Sequence, residues 1–317
     1  MKLLQVAKPA DYREPCMIHC RSSHAEICSS VLACVLGGTL AWPKHIEEGS
    51  NGPTQTKGLR MLGERLAGKA IIVVGSGTGI GAATSRRLAE EGAKVCLADI
   101  NLPAAENVAE EIRSKGGEAF ATLVDLADEA LVKSAFDKAA EQFGKLDGAH
   151  INGADMATLV KDTDILDEPM AVFDRTMQVN LRGHVLCTRA VLPYLIANGG
   201  GGLVYTSSGA AHAGEPVRPA YAIAKSGLMA LMRHVASAWG KSGVTANCVA
   251  PGLTITESMK ERNGTKSDFQ VAMLEKTPSV RLGRPEDIAG VVAMLLSEDG
   301  RWINGQSYNV DGGVIMI

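Results

Sequence analysis

Ile71-Ile72-Val73-Val74-Gly75-Ser76-Gly77-Thr78-Gly79-Ile80-Gly81 decides the fold. Four β-branched residues in a row predict a strand buried on both faces. Gly75 at its end permits a tight turn. Gly79 and Gly81 open a helical pattern over 79–91 and leave room for the backbone to approach a phosphate. The free N–H groups of a helix start, at the positive end of its dipole, favour an anion. Glycines also serve ordinary turns. Their place between an Ile/Val run and a helix is what points to a pyrophosphate cradle.

The same rhythm continues outward. Strand-like runs are 70–75, 94–98, 118–124, 146–151, 202–207, 244–249 and 306–310. Helical patterns lie between them at 79–91, 103–115, 128–143, 169–198, 219–241 and 285–297. Strands alternating with helices of this length predict parallel βαβ units, wound right-handed into an open sheet. The expected class is α/β, a Rossmann-type doubly wound parallel sheet of about seven strands with helices on both faces.

Composition narrows the function. The 317 residues carry a net charge of −3, which exerts no long-range pull on nucleic acid or anionic membrane. No apolar run reaches the length of roughly 18–20 residues that a spanning helix needs. The longest, Ser29 to Trp42, is broken by Gly37-Gly38 and followed by Pro43. Seven cysteines, an odd number, favour reduced thiols in a cytoplasmic protein over a disulfide framework. Four of them, Cys16, Cys20, Cys28 and Cys34, crowd the N-terminal region, but their spacing matches no zinc pattern, and no metal is expected. Residues 1–64 read as a poorly ordered extension with a linker at Gly49-Ser50-Asn51-Gly52-Pro53, and 65–317 as one catalytic domain.

Two carboxylates bear on the nucleotide. Asp99 ends the second strand, 18 residues after Gly81, where an acid would hydrogen-bond the adenosine ribose. It would repel a 2′-phosphate, and Thr78 puts no basic side chain in the loop. Both points favour NAD over NADP. The bland alternative for Asp99 is a turn start. Asp125, in Val124-Asp125-Leu126, is placed to contact the adenine or to cap the helix near 128.

Tyr221 and Lys225 stand four apart in a run of good helix formers, on one helix face, and Ser208 lies 13 residues before the tyrosine at the end of a β-rich run. Each has an ordinary reading: surface neighbours for the pair, turn chemistry for the serine. A phenol has a pKa of about 10, too high for a base near neutrality. A neighbouring ammonium lowers it.

Taken in order, the motifs resemble the short-chain dehydrogenases/reductases over roughly residues 64–313. They are the glycine loop, Asn180 in Val179-Asn180-Leu181, Ser208, Tyr221-x-x-x-Lys225, Pro251-Gly252, Arg281 to Ala289, and Asp311-Gly312-Gly313. The resemblance implies hydride transfer between a nicotinamide and an alcohol or ketone. It makes Tyr221 the acid/base and Lys225 its activator and ribose ligand. Ser208 would hydrogen-bond the reacting oxygen, and Asn180 would hold a relay water. The implied cofactor contacts are Gly75, Thr78, Gly79, Ile80, Gly81, Asp99, Asp125, Leu126, Asn152, Gly153, Tyr221, Lys225, Pro251, Gly252 and Thr256. One departure stands out: the family's usual Asn-Asn-Ala-Gly is Ile151-Asn152-Gly153-Ala154 here, preceded by His150.

A 3-oxoacyl-thioester reductase resembles the chain equally well, and a non-catalytic nucleotide-binding protein could use the same fold. Apolar residues in the expected lid over 257–280, Met259, Phe269, Val271, Met273 and Leu274, suggest a partly apolar small-molecule substrate or packing of the lid on its own domain. By the same resemblance, the helices 169–198 and 219–241 would pair copies into a homodimer or homotetramer.

Overall fold

A computed structural model describes residues 64–257, 259 and 267–316. The extension expected over 1–64, with its four cysteines, lies outside the described residues apart from Glu64.

Seven parallel strands form one sheet in the order β3-β2-β1-β4-β5-β6-β7. They are β1 Ala70–Val74, β2 Lys94–Asp99, β3 Ala119–Leu123, β4 Gly148–Ile151, β5 Gly201–Thr206, β6 Val244–Pro251 and β7 Ser307–Val310. The helices are α1 Gly79–Glu90, α2 Leu102–Ser114, α3 Glu129–Phe143, α4 Met170–Met177, α5 Gly183–Ala197, α6 Pro219–Trp239, α7 Asp268–Glu275 and α8 Pro285–Leu296. The expected Rossmann-type architecture is the one observed.

The period-2 geometry of strands splits the core in two. On β1, Ile72 and Val74 face one layer, which holds Phe136 of α3, Leu186, Val191 and Leu195 of α5, and Met229, Met232 and Val235 of α6. Ile71 and Val73 face the other, which holds Leu88 of α1, Val108 and Ile112 of α2, and Ile288, Val292 and Leu296 of α8. The three described cysteines, Cys96, Cys187 and Cys248, are buried free thiols. Burial raises the pKa of each, which disfavours the reactive thiolate.

Two elements differ from expectation. The single helix expected over 169–198 is α4 and α5 joined by a π-helical turn, Gln178–Arg182. That turn widens the helix by one residue and holds Asn180 fully buried. The segment expected as a lid contains α7, whose start is capped by the Ser267 hydroxyl accepting from the Gln270 amide. Among the described residues no helix is long and apolar enough to cross a membrane.

In β1, Val74 pairs with Ala98 of β2 and Ile151 of β4. The C-terminal ends of the central strands therefore lie level. The chain reverses its winding between β1 and β4, and a crevice at such a switch point is where open α/β sheets bind ligands.

Candidate active site

The loop after β1 is built from backbone. Gly75 has φ +79° and Gly79 φ +55°, conformations that glycine adopts without strain. A Cβ on Gly81 would lie 1.8 Å from the Gly75 carbonyl oxygen, so α1 starts directly against the loop. A Cβ on Gly75 would come within 2.6 Å of Gly153 Cα. The result is an open helix N-terminus floored by glycine, with no side-chain cap from Thr78. These residues fit a pyrophosphate, which needs backbone N–H groups and close approach.

Asp99 closes one side of that loop. Its Oδ2 accepts from the Gly77 amide at 2.7 Å, and its Oδ1 accepts from the Asn101 amide at 2.8 Å. Thr256 approaches the other side, its Cγ2 lying 3.1 Å from where a Gly79 Cβ would stand. Asp125 does not cap the helix after β3. That role falls to Asp128, which accepts from the Ala130 and Leu131 amides, while Asp125 accepts from the Ala127 amide. Leu126, buried, packs under Gly153. Gly252 follows Pro251 at the end of β6, its amide donating to the Val310 carbonyl.

The departure at Ile151-Asn152-Gly153-Ala154 leaves Asn152 firmly held. Its Nδ2 donates to the Gly75 carbonyl at 3.0 Å, and its Oδ1 accepts from Thr206 Oγ1 at 3.0 Å. The segment thus underpins the glycine loop from below.

Ser208 stands just past β5, where its Oγ accepts from the Ala210 amide at 3.2 Å. Tyr221 and Lys225 occupy the first two turns of α6. The Lys225 ammonium lies 5.7 Å over the centre of the Tyr221 ring and donates to the Thr206 carbonyl at 2.8 Å. Its side chain is buried, which lowers its pKa to about 8. At Tyr221 the influences oppose one another. Burial, the largest influence, raises its pKa; the Ser208 hydroxyl and the Arg218 guanidinium pull it back, and Glu215 adds to the rise. The Lys225 ammonium, over the Tyr221 ring, also donates to the Thr206 carbonyl. In the protein by itself, desolvation of the phenolate outweighs the charge on its neighbours.

Asn180 Oδ1 accepts from the Asp155 amide at 2.7 Å, which ties the π-helical turn to the strand-end loop after β4. Asp155 in turn accepts from Arg175 Nε at 2.9 Å.

Several residues of this site were not singled out by the sequence. Asp162, buried, accepts from the amides of Ala220 and Tyr221 at 3.3 and 2.8 Å. It caps α6 from 59 residues away. Arg218, just before the helix, is the one non-glycine residue with positive φ among the described residues, at 68°. Its amide donates to the Thr163 carbonyl at 2.7 Å, and its guanidinium pairs with Glu215. Left-handed backbone at a non-glycine residue is strained and needs surrounding support. The loop 155–168 supplies it. The local signal was an Arg before a Pro, which does not announce the strain. Among the described residues no cluster of His, Cys, Asp or Glu is placed to hold a metal ion.

The matches to known proteins span this whole arrangement. A family model described as enoyl-(acyl carrier protein) reductase matches residues 74–315. A probable short-chain type dehydrogenase/reductase of Bradyrhizobium diazoefficiens is 37% identical over 79% of this chain and 89% of its own length. The solved 7α-hydroxysteroid dehydrogenase complexed with NADH and 7-oxo glycochenodeoxycholic acid superposes with a TM-score of 0.73 at 33% identity, over 78% of this chain and 95% of that one. A short chain dehydrogenase from Burkholderia cenocepacia in complex with NADP gives 0.72 at 31% identity, over 79% and 99%. This chain therefore belongs to the short-chain dehydrogenases/reductases, oxidoreductases that act on CH–OH groups with a nicotinamide cofactor.

Proposed function

We propose that this protein is an NAD-dependent oxidoreductase that interconverts a secondary alcohol and a ketone, with Tyr221 as the acid/base. The observation that carries the reading is the gathering of Ser208, Tyr221 and Lys225 at the end of β5, with Asn152 linking that strand end to the glycine cradle. A nicotinamide cofactor, held by its pyrophosphate in the cradle, would supply the hydride acceptor or donor. The Ser208 hydroxyl donates to the substrate oxygen and aligns it with the phenol. Tyr221 Oη takes the hydroxyl proton in oxidation and returns it in reduction. Lys225 holds positive charge beside the phenol and contacts the nicotinamide ribose. Asn180 braces the far wall through Asp155 and holds the water that relays protons.

The preference for NAD rests on Asp99, whose carboxylate is fixed at the Gly77 amide and would repel a 2′-phosphate. The solved relatives were captured with NADH in one case and NADP in the other. In this reading Asp125 and Leu126 would hold the adenine, and Pro251, Gly252 and Thr256 would hold the nicotinamide. The substrate is a partly apolar small molecule. Met156 after β4 and Phe269, Val271 and Leu274 on α7 are all more than a third exposed, on segments that follow strand ends. The hydroxysteroid dehydrogenase, solved with 7-oxo glycochenodeoxycholic acid, supports such a substrate. Assembly into dimers or tetramers through α5 and α6 belongs to the same reading, with Ile196 and Ile223 exposed on those helices.

The test is a panel of secondary alcohols and ketones with NAD(H) and with NADP(H), followed by absorbance of the reduced cofactor. Wild type is expected to turn over with NAD preferred. Tyr221→Phe is expected to lose turnover by about 1,000-fold, within the range for a positioned acid/base, while cofactor still binds. Normal turnover by Tyr221→Phe would sink the assignment of the acid/base, and a clear NADP preference would refute the role given to Asp99. A second reading, reduction of a 3-oxoacyl thioester, shares with the description of the family model only an acyl-carrier thioester substrate, and is tested by including both a 3-oxoacyl and an enoyl thioester in the panel.

A further inference from the structure

His150 is the residue of the departing segment that the reading above does not use. It lies on β4 with no exposed surface, behind the strand ends that carry the site. Its Nε2 lies 2.8 Å from Thr206 Oγ1. Geometry alone leaves the donor open, but the neighbours decide it. Asn152 Nδ2 faces the Gly75 carbonyl at 3.0 Å, where only a donor is tolerated. Asn152 Oδ1 therefore faces Thr206 and must accept. Thr206 has one hydroxyl proton, and it goes to Asn152. The bond to His150 must then be Nε2–H donating to Thr206 Oγ1. Hydrogen-bond direction runs one way along the chain, His150 to Thr206 to Asn152 to the Gly75 carbonyl.

Thr206 is also where the second branch begins. Its carbonyl accepts from Lys225 Nζ at 2.8 Å, and the next residue, Ser207, donates its hydroxyl to the Lys225 carbonyl at 2.9 Å. One strand-end residue thus connects the glycine loop with the base-activating lysine. His150 Nδ1 meets no partner among the described residues. A buried polar atom left unpaired is destabilising, a cost that an apolar side chain at the same position would avoid.

We propose that His150 is a positioning residue: by donating to Thr206 it fixes the hydroxyl that orients Asn152 beneath the glycine loop, on the strand end whose carbonyl holds Lys225. Burial and the nearby Lys225 charge lower its pKa to about 3, so the ring stays neutral and the direction of the chain does not reverse at working pH. His184, also buried and also held neutral, is the other titratable ring that shares this interior.

The inference rests on the dehydrogenase reading for its effect on cofactor, but its first measurement does not need cofactor. In protein labelled with ¹⁵N at histidine, His150 is expected as the Nε2–H tautomer from pH 5 to 9, and the signal is expected to change in Thr206→Val. The Nδ1–H tautomer, or titration of the ring in that range, overturns the proposal. Next, His150→Leu is expected to keep a cooperative melt, bind NAD(H) about 10-fold more weakly by calorimetry, and lower kcat. His150→Gln, which keeps a donor near the Nε2 position, is expected to stay within about 3-fold of wild type. In Thr206→Val the same loss is expected, with no further loss on adding His150→Leu. A folded His150→Leu with wild-type affinity and kcat overturns the proposal, as does a His150→Gln as impaired as the leucine variant. If His150→Leu fails to fold, the tautomer measurement and His150→Met, read by the same affinity and kcat, carry the decision. Wild type that shows the expected tautomer yet binds neither NAD nor NADP would defeat the functional reading and leave the hydrogen-bond chain standing.

Discussion

The glycine loop after β1 and the start of α6 both present a helix N-terminus to the crevice, and their shapes have different origins. The loop takes its shape from its own glycines, Gly75 and Gly81 touching within a span of seven residues, while Asp99 and Asn152 brace it from neighbouring strands. The start of α6 is supported from far away. Asp162 caps it, the Thr163 carbonyl takes the amide of the strained Arg218, and the Thr206 carbonyl holds Lys225 from another strand. A binding element that must fit a common phosphate can be local. A catalytic element that must set one phenol against one hydroxyl needs the geometry of several segments at once.

The contrast can be broken at either end. Gly81→Ala has the largest expected effect. Its Cβ would meet the Gly75 carbonyl at 1.8 Å, so the loop must shift. Overpacking of about 3 kcal/mol corresponds to roughly a 100-fold loss of NAD affinity, read by calorimetry. Unchanged affinity would mean the cradle is not the pyrophosphate site.

Lys225 tests the remote support through its titration. Its folded pKa, about 8, lies below the unfolded value, so between about pH 8 and 10 the unfolded chain binds more protons. Stability conferred by this position therefore rises with pH across that window. Wild type is expected to gain on Lys225→Met by about 2 kcal/mol between pH 8 and 10, read from urea midpoints. A constant difference would show an ordinary, solvated lysine.

Asp162→Ala is the smaller effect. Loss of a helix cap costs about 1–2 kcal/mol of stability, and release of the Tyr221 amide is expected to lower kcat by about 10-fold. Asp162→Asn, which keeps an acceptor, is expected to retain most of the rate. If both variants melt lower but turn over normally, the clamp stabilises α6 without positioning the tyrosine.

Legibility in the sequence follows the same division. The strands and most helices were readable, because buried parallel strands demand β-branched runs and helices demand their period wherever they lie. The glycine loop and the Tyr221–Lys225 spacing were readable because each is one local element. The π-helical turn at Gln178–Arg182 was not, since its sequence continues a helical pattern and the widening coincides with the tie between Asn180 and the Asp155 amide. Asp162 was invisible for a similar reason: a cap is expected beside its helix, and this one comes from another loop.

The sequence by itself determined the sheet and the order of the motifs, because backbone propensity, burial and spacing act over short spans; the chemistry proposed for the motifs came from the family they resemble. Only the tertiary structure decided how that chemistry is held. It turned Lys225 toward the Thr206 carbonyl, buried the Tyr221 phenol, and set His150 Nε2 2.8 Å from Thr206 Oγ1. These outcomes depend on which groups desolvate one another across strands far apart in sequence, and no local pattern encodes that.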